Sequence, residues 1–407
     1  MTRVVITGVG GYSPLGKDLN DVLNVLKSKQ NRIVKVEELS EYNGMACNLG
    51  ALVTEELPDY PRKKTRSMGR VGKLATAATE LALDNAGLLN SPLLSSGEVG
   101  VAYGSCGGAQ EALLDVSKFS LEKELSYLNA TTYVSMMPHT VAVNLSIFFG
   151  IKGRVICTST ACTSGSQAIG YAYESIKSGA QKIMVAGGAE EFNPYAVGVF
   201  DAMFAASSKN DTPDLTPRPF DKNRDGIVVG EGAGTLILED YDHALARGAN
   251  IIAEVVGFAT NSDATHITNP SSADMEKCMR LALKNANLEA EQIGYINAHG
   301  TGTPNGDIAE TQATFRVFGN QAPVATLKSY MGHTLGAAGS LEAIYSLKMQ
   351  NENWYAPNIN LDQIDTDCGD LAYITGDGLE KDCEYIMSNN FAFGGVNTSL
   401  IFRKLSN

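Results

Sequence analysis

The chain carries the same helical phrase twice, two hundred residues apart. "LALDNAGL" at 81–88 and "LALKNANL" at 281–288 agree at six of eight positions. Each places apolar residues at helical spacing among strong helix formers. Each leads, after a polar connection, into a glycine-containing strand-like run, "VGVAYGSCGG" from Val99 and "IGYINAHGTG" from Ile293. Each is preceded by a β-branched run, "RVVITGVGG" at 3–11 and "IIAEVVGFAT" at 251–260. The same neighbours in the same order predict an internal duplication, with halves at 1–249 and 250–407. Alternating strands and helices in both halves predict α/β layers with mostly parallel sheets. Reactive groups then collect at strand ends, where loops and helix N-termini meet. The proline-rich stretch "DTPDLTPRPFDKNRDG" at 211–226 reads as an ordered irregular loop, and "TLILEDY" and "DHALARGA" as a strand and helix closing the first half.

Three stretches place reactive side chains at such positions. In "RVICTSTACTSGSQAIGYAYESIKSGA", Cys162 lies at a strand-to-helix turn among small and hydroxyl residues that leave the sulfur accessible. A helix N-terminus there favours the thiolate and lowers the thiol pKa. In "NAHGTGTPNGD" at 297–307, His299 ends a strand, and Thr301 and Thr303 flank Gly302 so that both hydroxyls face one ligand. In "KSYMGHTLGAAG" at 328–339, Lys328 and His333 bracket a second strand-to-helix turn. The other histidines, His139, His243 and His266, lack this context and read as structural. One cysteine with two histidines suits acyl transfer to sulfur followed by attack of a carbon nucleophile. Two imidazole N–H groups stabilise the enolate left when a malonyl thioester loses carbon dioxide.

Composition narrows the partners. A net charge of −13 disfavours nucleic acid and anionic membrane surfaces. Seven cysteines without a C-x-x-C pair argue against a disulfide framework or a zinc site and for a reducing cytosol. No apolar run reaches membrane-spanning length, and "MTRVVITGVG" reads as a first strand, not a signal peptide. Within this acidic chain, "PRKKTRSMGRVGK" at 61–73 concentrates Arg62, Lys63, Lys64, Arg66, Arg70 and Lys73.

Five motifs in order resemble the β-ketoacyl-[acyl-carrier-protein] synthases, most closely the elongating type II enzymes. They are "TACTSG", "RPFDKNRDGIVVGEGAG", "NAHGTGTPNGD", "KSYMGH" and "NNFAFGGVN", and the resemblance spans essentially the whole chain. It implies a thiolase-like α/β fold, five αβαβα layers made of two duplicated halves, and a homodimer in the cytoplasm. It implies no metal and no resident cofactor, the phosphopantetheine arm arriving on an acyl carrier protein. By the same resemblance Cys162 is the nucleophile, and His299 and His333 bind the malonyl carbonyl. Lys328 is the family's lysine, with Glu310 in the place of its acidic partner. The backbone N–H of Phe393 shares an oxyanion hole with that of Cys162. Thr301, Thr303 and Phe391 line the substrate site, and Cys106 lines the acyl pocket. Arg62, Lys63, Lys64, Arg66 and Arg70 meet the acidic carrier protein. Two departures stand out: Ala392 replaces a glycine before the gating phenylalanine, and the segment at 136–153 is shorter by about one helical turn.

The implied reaction is decarboxylating condensation of a Cys162-bound acyl group with malonyl carrier protein, in fatty acid elongation. The same residues serve dedicated ketosynthases of polyketide or aryl polyene pathways. A thiolase would use a second cysteine as base, and an initiating type III synthase pairs histidine with asparagine; His333 speaks against both. A non-catalytic chain-length subunit would lack the nucleophile.

Overall fold

The computed structural model describes residues 2–405. The first half contributes strands β1 (Val4–Tyr12), β2 (Val99–Gly104), β3 (Val155–Thr158), β4 (Ile183–Glu190) and β5 (Gly232–Asp240). The second contributes β6 (Ala253–Ser262), β7 (Ile293–Asn297), β8 (Pro323–Ala325), a two-residue β9 (Ala372–Tyr373), β10 (Tyr385–Phe391) and β11 (Val396–Arg403). They pair in the order β3-β2-β4-β5-β1 and then β6-β11-β10-β7-β8-β9. Setting β9 aside, each half repeats one pattern of two antiparallel and two parallel pairings. The sheets are therefore mixed, where a mostly parallel arrangement was expected. The reason is local: β11 follows β10 through residues 392–395, and so short a connection enforces an antiparallel neighbour. The halves meet where Val4, Val5 and Ile6 pair with Val255, Glu254 and Ala253.

Seven helices matter to the site: α1 (Arg70–Asn85), α2 (Thr140–Phe149), α3 (Ser164–Lys177), α4 (Pro194–Ala202), α5 (Ser272–Ala286), α6 (Pro304–Phe318) and α7 (Ala338–Asn351). Helix α3 packs on strands of both halves and on α7, and α7 in turn packs on β5 and β10. The outer faces are covered by α1 over β1 and β5, and by α5 over β6 and β11. This gives the five layers of a thiolase-like fold. The proposed division at 249/250 falls in the connection between the helix Tyr241–Ala246 and β6.

The repeated phrase has a physical basis. A Cβ on Gly8 of β1 would lie 2.3 Å from the carbonyl of Ala82 and 2.7 Å from the Ala86 methyl. A Cβ on Gly257 of β6 would lie 2.8 Å from the carbonyl of Ala282 and 3.0 Å from the Ala286 methyl. Strand and helix touch backbone to backbone in both halves, and only glycine facing alanine permits that approach. Beside each glycine the strand register slips. The repeated asparagine fills the gap: Asn85 accepts from the Val9 N–H at 3.0 Å, and Asn285 donates to the Phe258 carbonyl at 2.7 Å. Leu83, Leu88 and Leu283 fill the core beneath.

No helix among the described residues is long and apolar enough to cross a membrane. The seven cysteines are free thiols.

Candidate active site

Cys162 sits between β3 and α3, two residues before the helix begins. Ala161 takes the left-handed conformation at φ 50°, which turns the chain sharply and aims the thiol away from the sheet. Ser164 locks the turn, accepting from the Thr160 N–H at 2.9 Å and donating to the Ala161 carbonyl at 2.7 Å. Close behind it, Gly165 sits where a Cβ would meet the Gly336 carbonyl at 2.9 Å. The hydroxyl-rich neighbours of Cys162 therefore build the turn as well as leaving space.

The helix terminus was expected to lower the thiol pKa, but burial pushes it up to about 11. Lys328 and the backbone N–H groups of Cys162 and Phe393 pull the other way. Both amides act on the sulfur, which makes them the candidate oxyanion hole.

His299 follows β7. Its ring Nδ1 lies 3.1 Å from Lys328 Nζ and 3.3 Å from Asn390 Nδ2. Both of those groups are donors, so Nδ1 accepts and the neutral ring carries its hydrogen on Nε2. In His333, Nδ1 accepts from the Leu335 N–H at 3.2 Å, which again places the hydrogen on Nε2. The His333 Nε2 is buried with no hydrogen-bond partner among the described residues. Burial and the charge of Lys328 hold both rings well below the ordinary histidine range, hence neutral. The rings lie 5.1 Å apart, nearly perpendicular. The site thus offers two imidazole N–H groups facing one thiol. Sulfur and ring nitrogens come within 4.8 Å of one another, a spacing that suits a shared cation. The rings turn N–H hydrogens towards that space, and metals take lone pairs, so the fit is to a developing anion.

Lys328 corrects one expectation. Its ammonium donates to Glu342 Oε1 at 2.5 Å and to the His299 carbonyl at 2.6 Å. The acidic partner is therefore Glu342, on α7, and not Glu310. Glu310 accepts from the backbone N–H groups of His299 and Gly300, both at 2.7 Å. It shapes the turn after β7, and burial pushes its carboxyl up to about 8. Glu342 and Asn390 were missed; both are completely buried, Glu342 within the enclosed helix α7 and Asn390 in the central strand β10.

A cavity of about 500 Å³ opens in front of Cys162, lined by His299, His333, Thr301, Thr303, Phe391 and Phe393 among others. Thr301 and Thr303 hydroxyls lie 2.9 Å apart on its wall. His266, read as structural, stands at its rim, accepting from the Thr268 and Asn269 N–H groups at 3.1 Å. Cys106 does not line this cavity. It packs behind the nucleophile's turn, with its N–H on Glu190 at 2.8 Å, against the apolar cluster of Val197, Ile227 and Leu335. Phe393 rests against Phe200 of α4, 5.8 Å between ring centroids. Ala392 keeps an ordinary negative φ, so its methyl introduces no strain.

The basic side chains of the stretch are all exposed. Arg62, Lys63, Lys64 and Arg66 reach solvent, and Lys64 Nζ lies 4.7 Å over the Phe148 ring. Arg70 is exposed as well, and its guanidinium is also paired with Glu231 by bonds of 2.6 and 2.8 Å.

The chain matches the models for the beta-ketoacyl synthase N-terminal domain at residues 1–244 and C-terminal domain at 252–362. It is 39% identical over 412 residues, covering 99% of both sequences, to the 3-oxoacyl-[acyl-carrier-protein] synthase 2 of Vibrio harveyi. The crystal structure of a beta-ketoacyl synthase from Burkholderia phymatum superposes at TM-score 0.98 with 51% identity and full coverage of both chains. The ishigamide ketosynthase/chain length factor superposes at 0.90 with 30% identity and full coverage of both chains. With both family domains matched along the chain and a relative 39% identical over 99% of its length, the chain belongs to the β-ketoacyl synthase family.

Proposed function

We propose that the protein condenses a Cys162-bound acyl group with malonyl-acyl carrier protein to give a 3-oxoacyl-acyl carrier protein. The Cys162 sulfur attacks an acyl thioester; the new acyl–sulfur bond forms as the carrier's acyl–sulfur bond breaks, and the Cys162 thiol proton leaves on the carrier's sulfur. The malonyl thioester then enters with its carbonyl oxygen against the Nε2–H groups of His299 and His333. Carbon dioxide departs, and the two N–H groups stabilise the enolate oxygen. The enolate carbon attacks the Cys162 thioester, whose oxyanion lies between the N–H groups of Cys162 and Phe393, and the thiolate is released. Thr301 and Thr303 bind the pantetheine arm. Lys328 and its partner Glu342 act as positioning residues, and Glu310 holds the turn that carries His299. No step in this reading calls on a resident cofactor.

The observation that carries the reading is the pair of neutral imidazoles, both presenting Nε2–H beside the thiol. Cys162→Gln tests it: carbon dioxide release from malonyl carrier protein persists while condensation is abolished. Loss of both activities in a folded variant would refute the division of labour.

Arg62, Lys63, Lys64 and Arg66 are the proposed contacts for the acidic carrier, and the cytoplasm the proposed location. A homodimer is supported by the apolar face around the sheet edge at β3, where Val155, Ile147, Leu121, Leu125 and Tyr133 are exposed. The second reading, a ketosynthase of a polyketide or aryl polyene pathway, draws on the likeness to the ishigamide protein and on the short segment around α2. Intact-protein mass after incubation with straight-chain, polyenoyl and aryl acyl carriers separates the two: the group loaded fastest on Cys162 names the pathway.

A further inference from the structure

We infer that Asn390 is a positioning residue for decarboxylation, holding the His299 imidazole as an Nε2–H donor by occupying its Nδ1 lone pair. Asn390 is the penultimate residue of β10, next to Phe391, and is completely buried. Its Nδ2 donates to Glu342 Oε2 at 2.7 Å, and a carboxylate only accepts, so the amide orientation is set. The second hydrogen on the same nitrogen points to His299 Nδ1 at 3.3 Å. Lys328 Nζ approaches that lone pair from the other side at 3.1 Å, while also serving Glu342 and the His299 carbonyl.

The consequence is a constraint on protonation. The Nε2 already bears a hydrogen, so the only basic position on the ring is Nδ1. Two donors directed at one lone pair oppose its protonation. The groups facing the ring are Lys328, the Glu342 carboxylate behind it, His333, the Cys162 thiol, and Glu310 through the His299 backbone N–H. Asn390 is the non-titrating member of this ring of contacts, and it joins the ion pair to the imidazole. It thereby links one Glu342 oxygen to the enolate-binding histidine, as Lys328 links the other.

The inference rests on the reading that His299 binds an enolate oxygen, but its first test does not. In wild-type enzyme labelled with ¹⁵N-histidine, His299, assigned through loss of its signals in His299→Asn, should show the neutral Nε2–H form from neutral pH down to pH 5. An Nδ1–H form, or titration near 6.5, overturns the inference whatever the reaction proves to be. The second test compares Asn390→Ala and Asn390→Asp, with Cys162 acylation by intact mass as the check that the nucleophile's turn is formed. Malonyl decarboxylation should lose kcat with KM unchanged, and its acid limb should move to higher pH in Asn390→Ala. In Asn390→Asp, a carboxylate at the same distance should move that limb further, by about one to three units. Asn390→Ser, which keeps a donor, should recover part of the lost rate. Acylation-competent variants with an unmoved acid limb overturn the proposal, as does a loss confined to KM. If no Asn390 variant acylates, the wild-type tautomer decides alone.

Discussion

Lys328→Met separates Glu342 from Glu310 as the partner of the buried lysine. In the structure the ammonium donates at 2.5 Å to Glu342, at 2.6 Å to the His299 carbonyl and at 3.1 Å to its Nδ1. Lys328 is 1% and Glu342 0% exposed, so neither charge is relieved by water. Methionine fills the volume of the lysine stem but leaves Glu342 ionised with only amide donors. Breaking a buried pair from one side costs about 3–5 kcal/mol. Neutralising the orphaned charge in Lys328→Met/Glu342→Gln should return about 2–3 kcal/mol of that, because the desolvation penalty goes with it. Lys328→Met/Glu310→Gln should return much less, since the Glu310 oxygens are already held by two backbone N–H groups. Urea unfolding midpoints at matched m-values, for these three variants, the wild type, Glu342→Gln and Glu310→Gln, close both cycles. A stronger coupling of Lys328 to Glu310 than to Glu342 would refute the assignment.

The neutral histidines set a pH dependence. Both have folded pKa values well below 6.5, so between those values and 6.5 the unfolded chain binds protons that the folded chain does not. Stability therefore falls as pH drops below about 6.5, by up to about 1.4 kcal/mol per pH unit for each ring. His333→Asn should flatten the slope of stability between pH 5 and 6.5 by that amount; an unchanged slope would mean the folded ring is charged. At the surface, Lys63→Glu/Arg66→Glu should raise KM for acyl carrier protein about tenfold at low salt, with the difference collapsing at high salt. Lys64 is left in place because its ammonium covers Phe148. An unchanged KM removes this stretch from the docking surface.

Much of the architecture was legible because the duplicated phrase encodes a contact. Leucines repeat to fill a core, alanines to meet a strand glycine, and asparagine to satisfy a slipped backbone group. Cys162, His299 and His333 were legible for a related reason: each lies at a turn rich in glycine or hydroxyl residues. Partnership across the fold was not. Glu310 lies eleven residues after His299 and Glu342 fourteen after Lys328, and nothing local says which carboxylate reaches the ammonium. The clue was burial, since α7 is enclosed on nearly every side and a glutamate within it needs a buried cation. The pairing of Arg70 was hidden in the same way: a basic run reads as one free surface, whereas at the start of α1 this exposed guanidinium also holds Glu231. The thiol pKa was misjudged because the helix terminus is visible in sequence and the enclosure of Cys162 is not.

The seam between the halves, three residue pairs long, bears on how the molecule holds its chemistry together. The thiol belongs to one side of that seam and both imidazoles to the other, as in a dimer whose protomers have been fused and then specialised. The two sides are held together through the packing of α3 on α7, the helices that follow Cys162 and His333 in the chain. The connection around Gly248 contributes continuity of chain but no group to the reaction. A nick there would leave two interlocked fragments with the catalytic register still set by their shared helical layer.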